Sequence, residues 1–298
     1  MIRNLKNCKH LFVLMLVLVI SGCDDDSGHN HDDHDHDVDA LTLDNCESSF
    51  GTGVDLFYST YFSCVDATIS GDNTVITSDN LPPYESWYYS ESNGNHIDYV
   101  SQGTGYYLNP NSISSQNLSV SIPDNPTSKG LTINEALVDG SVGTSADEYG
   151  MGPVGVALNG VALFNPLAAP PDDIEDEKYS FDYYSGHPTF DGTYHYHTTT
   201  KGPLEVLLEK GLIETATVGS AEVELYGMMC DGTVILGCTE LDGSTPDNSG
   251  FDAQNGHVHD IGDGTTTFFT DRYHTHICTD IFTGFKFTPE IQYYEGCN

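Results

Sequence analysis

The chain has 298 residues, with 45 Asp and Glu against 9 Lys and Arg, and a formal net charge of −36 with neutral His. So few bases exclude nucleic acid as a partner, because phosphate binding needs clustered Lys and Arg, and they argue against adsorption to anionic headgroups. Hydrophobic residues at 38% and aromatics at 11% supply a core, and 30 Gly and 18 Tyr with few helix formers predict a mainly β fold.

In chain order, residues 1–22 read as a targeting segment. Arg3, Lys6 and Lys9 precede an apolar run, Leu11 to Ile20, too short to span a bilayer as a helix. Ile20-Ser21-Gly22-Cys23 resembles a bacterial lipobox, which implies a lipidated Cys23 as the membrane attachment. Residues 23–40 are then an acidic tether. Its dense Asp, interrupted by His29, His31, His34 and His36, cannot bury enough surface to fold. These four imidazoles make a loose chelator for divalent ions. The implied location is the bacterial cell envelope, facing the periplasm or the exterior.

Residues 41–70 are expected to be an N-terminal extension, and 71–298 a compact β-rich domain with one or two short helices. Thr74–Thr77 and Leu118–Ile122 read as strands between turn residues. Residues 172–177 (DDIEDE) read as an acidic surface loop. Leu204–Lys210 reads as a helix, with Pro203 in its first turn and Gly211 at its exit. An exported chain sits where disulfides persist. Cys46, Cys64, Cys230, Cys238, Cys278 and Cys297 are therefore disulfide candidates, and pairing nearest neighbours is the simplest arrangement. A thiolate metal site is disfavoured, since no Cys-x-x-Cys occurs.

Phe-Asp-x-x-(Ser/Asn)-Gly-His occurs twice, from Phe181 to His187 and from Phe251 to His257. Tyr-His-x-His comes after it each time, with His195 and His197 in the first copy and His274 and His276 in the second. This predicts an internal pseudo-duplication. On a strand, residues i and i+2 share a face, so each pair can chelate one ion, with a third ligand from His187 in the first copy and from His257 or His259 in the second. The copies build two sites or converge on one. A single His-x-His is more often a satisfied part of a core; two copies, each after a Gly-His, favour a metal. Asp182 and Asp252 are expected to orient the imidazoles. All-imidazole coordination suits Zn or Cu better than Mg or Ca.

GHPTFDGTYHYHT, preceded by VGVALNGVALFNP, resembles the YHYH-domain family of exported bacterial proteins. The likeness extends over about residues 70–297, through ITSDNLPPYESW upstream and the second Gly-His and Tyr-His-Thr-His downstream. It implies an exported or anchored metal-binding domain and no established reaction. No Gly-x-Ser-x-Gly, His-Glu-x-x-His or phosphate-binding loop is present. The function expected is metal capture or buffering by an anchored domain. The alternatives are a metal-dependent hydrolase using a three-His site, with Asp182 or Asp252 as base, and a structural or adhesive surface module.

Overall fold

The computed structural model describes residues 40–138, 146–278 and 286–297. The targeting segment, Cys23 and the tether histidines lie outside them. The described chain is mainly β, built from two sheets and three short helices.

The first sheet has strand order β1-β2-β3-β4: β1 (Ser49–Phe50), β2 (Asp66–Ser70), β3 (Asn73–Ser78) and β4 (Leu118–Pro123). The two strands read from sequence are β3 and β4. Alternation in β4 sends Leu118, Val120 and Ile122 inward. The boundary expected between residues 70 and 71 falls in the tight turn joining β2 to β3, so β1 and β2 share one sheet with β3 and β4. Between β1 and β2 runs α1 (Leu56–Tyr61), not anticipated from sequence. Asp55 caps it by accepting from Phe57 N, and it buries Phe57, Tyr58 and Tyr61.

The second sheet holds β5 (Gly155–Ala157), β6 (Ala162–Leu163), β7 (Gly186–Pro188), β8 (Tyr194–Tyr196), β9 (Leu225–Met229), β10 (Val234–Leu236), β11 (Gly256–Gly262) and β12 (Thr267–His276). Its order, β11-β12-β10-β9-β5-β6-β8-β7, is a palindrome of the repeat. In each copy an antiparallel hairpin is followed by a strand that pairs parallel to its second arm: β6 with β8, β10 with β12. The copies meet where β5 pairs antiparallel with β9. Registers correspond as well. Ala162 lies opposite His195 and Val234 opposite His274, while His187 lies opposite His195 and His257 opposite His274. The pseudo-duplication is therefore a pseudo-twofold within one sheet. The longer insert of the second copy extends the β11–β12 hairpin, which lays Phe268 and Phe269 against Phe57 at 5.7 and 4.9 Å.

Helix α2 (Ile174–Glu177) replaces part of the expected acidic loop, because Asp173 caps it by accepting from Glu175 N. Helix α3 (Lys201–Glu209) is the expected helix. It starts earlier because the Thr200 side chain accepts from Gly202 N.

Three disulfides form: Cys46–Cys64, Cys230–Cys297 and Cys238–Cys278. They point to an extracellular or periplasmic protein. Nearest-neighbour pairing holds only for the first. The parallel pairing that sets Leu236 opposite His276 carries Cys238 and Cys278 side by side two residues on. Tyr294 N donates to Asp231 Oδ2, which brings the C-terminal segment and Cys297 against the turn containing Cys230. Among the described residues no helix is long and apolar enough to cross a membrane.

Candidate metal centres

The repeated motif is one hydrogen-bonded unit. In the first copy Asp182 N donates to Gly186 O and Ser185 N to Asp182 O, with Ser185 in the left-handed region at φ 55°. Asp182 Oδ1 accepts from Tyr184 N and from the Tyr194 hydroxyl, both at 2.8 Å, and Oδ2 accepts from Ser86 at 2.6 Å. In the second copy Asp252 N donates to Gly256 O, Asn255 takes φ 57°, and Asp252 accepts from Gln254 N, Gly256 N and the Tyr273 hydroxyl. A side chain at Gly186 or Gly256 would collide with the ring of that tyrosine. The Asp and Tyr of the motif thus hold the turn and strand, and the next His is aimed by them. Neither carboxylate takes an imidazole N–H directly, so the orienting role expected of Asp182 and Asp252 is indirect. Burial pushes Asp182 up to about 6 against the hydrogen bonds it receives.

Asn80 fixes the neighbouring strands. Buried and at φ 56°, it donates to Tyr194 O and accepts from Ala162 N, bridging β8 to β6.

Among the described residues, two groups of side chains have ligand atoms that could hold a metal ion: His187, His195 and His197 in the first copy, and Glu240, His257, His274 and His276 in the second. Within each, the ligand atoms lie within 4.8 Å of one another. Six of the predicted imidazoles therefore gather into two groups rather than one. His259 joins neither group; it is exposed on β11, with its ring 5.9 Å from that of His257.

The hydrogen bonds fix the tautomers. His195 Nδ1 meets Thr193 O at 3.0 Å and His197 Nδ1 meets Asn165 O at 2.5 Å. His274 Nδ1 meets Arg272 O and His276 Nδ1 meets Gly237 O, both at 3.0 Å. Carbonyls only accept, so each of these Nδ1 atoms carries the proton. His187 Nδ1 lies 2.6 Å from Ser180 Oγ, which itself donates to Glu177 O, so this ring too donates from Nδ1. In these five rings Nε2 is left with a bare lone pair, and the lone pairs face one another. His187 to His195 is 3.1 Å and His195 to His197 is 3.0 Å; in the second copy His257 Nε2, which lies outside these five, comes within 3.3 Å of His276 Nε2. Tetrahedral nitrogens about 2.0–2.1 Å from a zinc ion would be roughly 3.3 Å apart. His274 Nε2 is buried without a hydrogen-bond partner, although Glu240 Oε2 lies 3.3 Å away.

For four of the rings the surroundings disfavour protonation as an alternative to an ion. Burial first, and then the charge of neighbouring imidazoles, drives His187 and His195 well below the ordinary range. Burial takes His197 to about 4 despite its backbone bond, and burial with the charge of His274 takes His257 to about 4.

The copies differ in their carboxylates. Glu240, which sequence reasoning missed, approaches His257, His274 and His276 at 3.3–3.5 Å. In the register of the repeat its counterpart is Ala168. Glu177 approaches only His187, at 3.7 Å, and burial and the charge of Asp172 push it up to about 7. Phe164 stacks on His195 at 3.8 Å and Phe181 meets His187 edge-on at 4.9 Å; the second copy keeps Phe251 against His257 but has Leu236 in place of Phe164.

Fold and sites together define a disulfide-bonded, β-rich domain with a duplicated His-cluster unit. Residues 119–249 match the model of the family described as YHYH protein. The match takes in all of the first cluster and stops short of the second Gly-His. Comparison with curated proteins and with solved structures gave no match.

Proposed function

We propose that this is an exported metal-binding protein carrying one transition-metal ion in each His cluster, attached to the bacterial envelope through lipidated Cys23. The observation that carries the reading is the convergence of Nε2 lone pairs in both copies, with Nδ1 committed elsewhere in five of the rings. Neutral acceptors packed this closely repel one another unless a cation lies between them. Imidazole donors favour Zn or Cu, and the single carboxylate at the second cluster is compatible with either. His29, His31, His34 and His36 on the tether would gather ions near the membrane, which makes metal capture or buffering the natural task.

Metal analysis of the purified domain tests this. Two equivalents of Zn or Cu are expected, falling to one in His195→Ala/His197→Ala and to one in His274→Ala/His276→Ala. Unchanged stoichiometry in both double variants would end the reading. Retention of the wild-type protein in the detergent phase, lost in Cys23→Ser, tests the anchor.

A further inference from the structure

The two clusters are built from the same motif but open differently to solvent. His187, His195 and His197 are each 1–2% exposed, and Phe164 and Phe181 pack against their rings. In the second cluster His274 and His276 are as deeply buried, but the side chains of His257 and Glu240 are 15% and 13% exposed. Those two residues form one wall of a cleft of about 730 Å³ whose lining also includes Asp247, Asp252, His259 and Tyr293. Among the described residues no Lys or Arg lines this cleft.

An ion leaves a protein site when solvent or another ligand can replace its donors one at a time. That requires an exposed edge of the coordination shell, or else local opening of the fold. The second cluster has such an edge, formed by Glu240 and His257. A carboxylate there can swing from the ion while the three imidazoles hold it, and the acidic cleft lowers the free energy of a partly hydrated cation in transit. The first cluster has a weaker edge: its three imidazoles are buried, and Glu177, though 25% exposed, approaches His187 alone, at 3.7 Å. Its rings are walled by aromatic side chains and held by β7 and β8, so releasing an ion means breaking that hairpin.

We propose that the two centres differ in lability. The second, formed by Glu240, His257, His274 and His276, loads and unloads hydrated divalent cations through the acidic cleft. The first, formed by His187, His195 and His197, keeps its ion as part of the folded structure. This rests on the metal-binding reading of both clusters and adds which of them exchanges.

The test is zinc release from the full chain loaded with two equivalents, mixed rapidly with excess chromophoric chelator. Two phases of one equivalent each are expected, an order of magnitude or more apart in rate. Glu240→Gln should speed the fast phase, His257→Ala should abolish it, and both should leave the slow phase in place. Release of both ions in a single phase, or loss of the slow phase in His257→Ala, overturns the proposal while leaving metal binding intact. A wild-type chain that takes up no ion overturns the metal-binding reading itself. Because variants of the first centre risk failing to fold, a second readout uses the wild-type fold. On the cadmium-loaded chain, the NMR resonance that chelator removes first must be the one shifted by Glu240→Gln. If the other resonance goes first, the assignment is wrong.

Discussion

His187 on β7 lies directly opposite His195 on β8, and their Nε2 atoms are 3.1 Å apart. Directly opposed residues on an antiparallel pair are the closest side chains a sheet provides. The sheet itself thus supplies a two-imidazole clamp, and His197, two residues on along the same face, supplies the third donor. Replacing His187 by Ala should therefore lower the affinity of the first centre by far more than that of the second. The same change at His257 should do the reverse. Competition titration with a chelator of known affinity reads both, and equal losses at both centres from either variant would contradict independent sites.

Gly186 is required by packing rather than by its φ. A Cβ there would fall 2.5 Å from Tyr194 Cζ, and the Tyr194 hydroxyl is tied to Asp182. The ring is fully buried and has nowhere to move. Gly186→Ala should cost about 1–3 kcal/mol, the usual range for overpacking a core. Gly150→Ala is the control, since its Cβ would meet nothing within 4 Å. Thermal melts should separate the two variants by several degrees; coincident melts would show that the tyrosine yields.

The duplication was legible because the motif repeats residues whose roles are local: a Gly under a Tyr ring, an Asp on a turn, a His on each side of a rung. The His sets of both centres followed from i, i+2 geometry and spacing. Glu240 was not legible, since acids are abundant and its place depends on the chain beyond β10 curling back over the cluster. His259 satisfied the alternation rule but lies outside the group, because β11 runs on past its rung into solvent. The disulfides show the same limit. Cys238–Cys278 depends on parallel pairing of β10 with β12, a long-range fact that spacing along the chain does not contain.

That disulfide closes the second centre. Cys238 comes directly after Gly237, whose carbonyl holds His276 Nδ1, and Cys278 lies two residues beyond His276. Losing the bridge frees both the ligand and the carbonyl that orients it. Cys238→Ser/Cys278→Ser should weaken the second centre by about 10–100-fold, the range seen when groups supporting a ligand are removed. The first centre should be unaffected. Equal affinities for wild type and variant would mean that β-sheet pairing alone sets His276.

Metal-free protein should show the burial of its imidazoles as a pH dependence. His197 has its pKa lowered to about 4 by burial, against about 6.5 in an unfolded chain. Its contribution to stability is therefore complete above about pH 6.5 and is lost as pH falls toward 4, because the unfolded state takes up a proton that the fold refuses. For this group alone the loss is on the order of 3 kcal/mol. His187 and His195 act in the same direction. Asp182 and Glu177 act in the opposite one: raised to about 6 and about 7, they favour the fold in acid and lose that contribution as pH rises through those values. Relief of the chain's acidic self-repulsion on acidification has the same sign as these two. A raw stability profile therefore mixes both signs, and the comparison that isolates the imidazole is wild type against His197→Gln, whose amide does not titrate. With metal removed, the difference in urea unfolding free energy between the two should shrink steadily from pH 7.5 to pH 4.5, by about 2–3 kcal/mol. A difference that stays constant over that range would mean that His197 titrates normally, and so that the lone pairs of the first centre are hydrated rather than held dry for an ion.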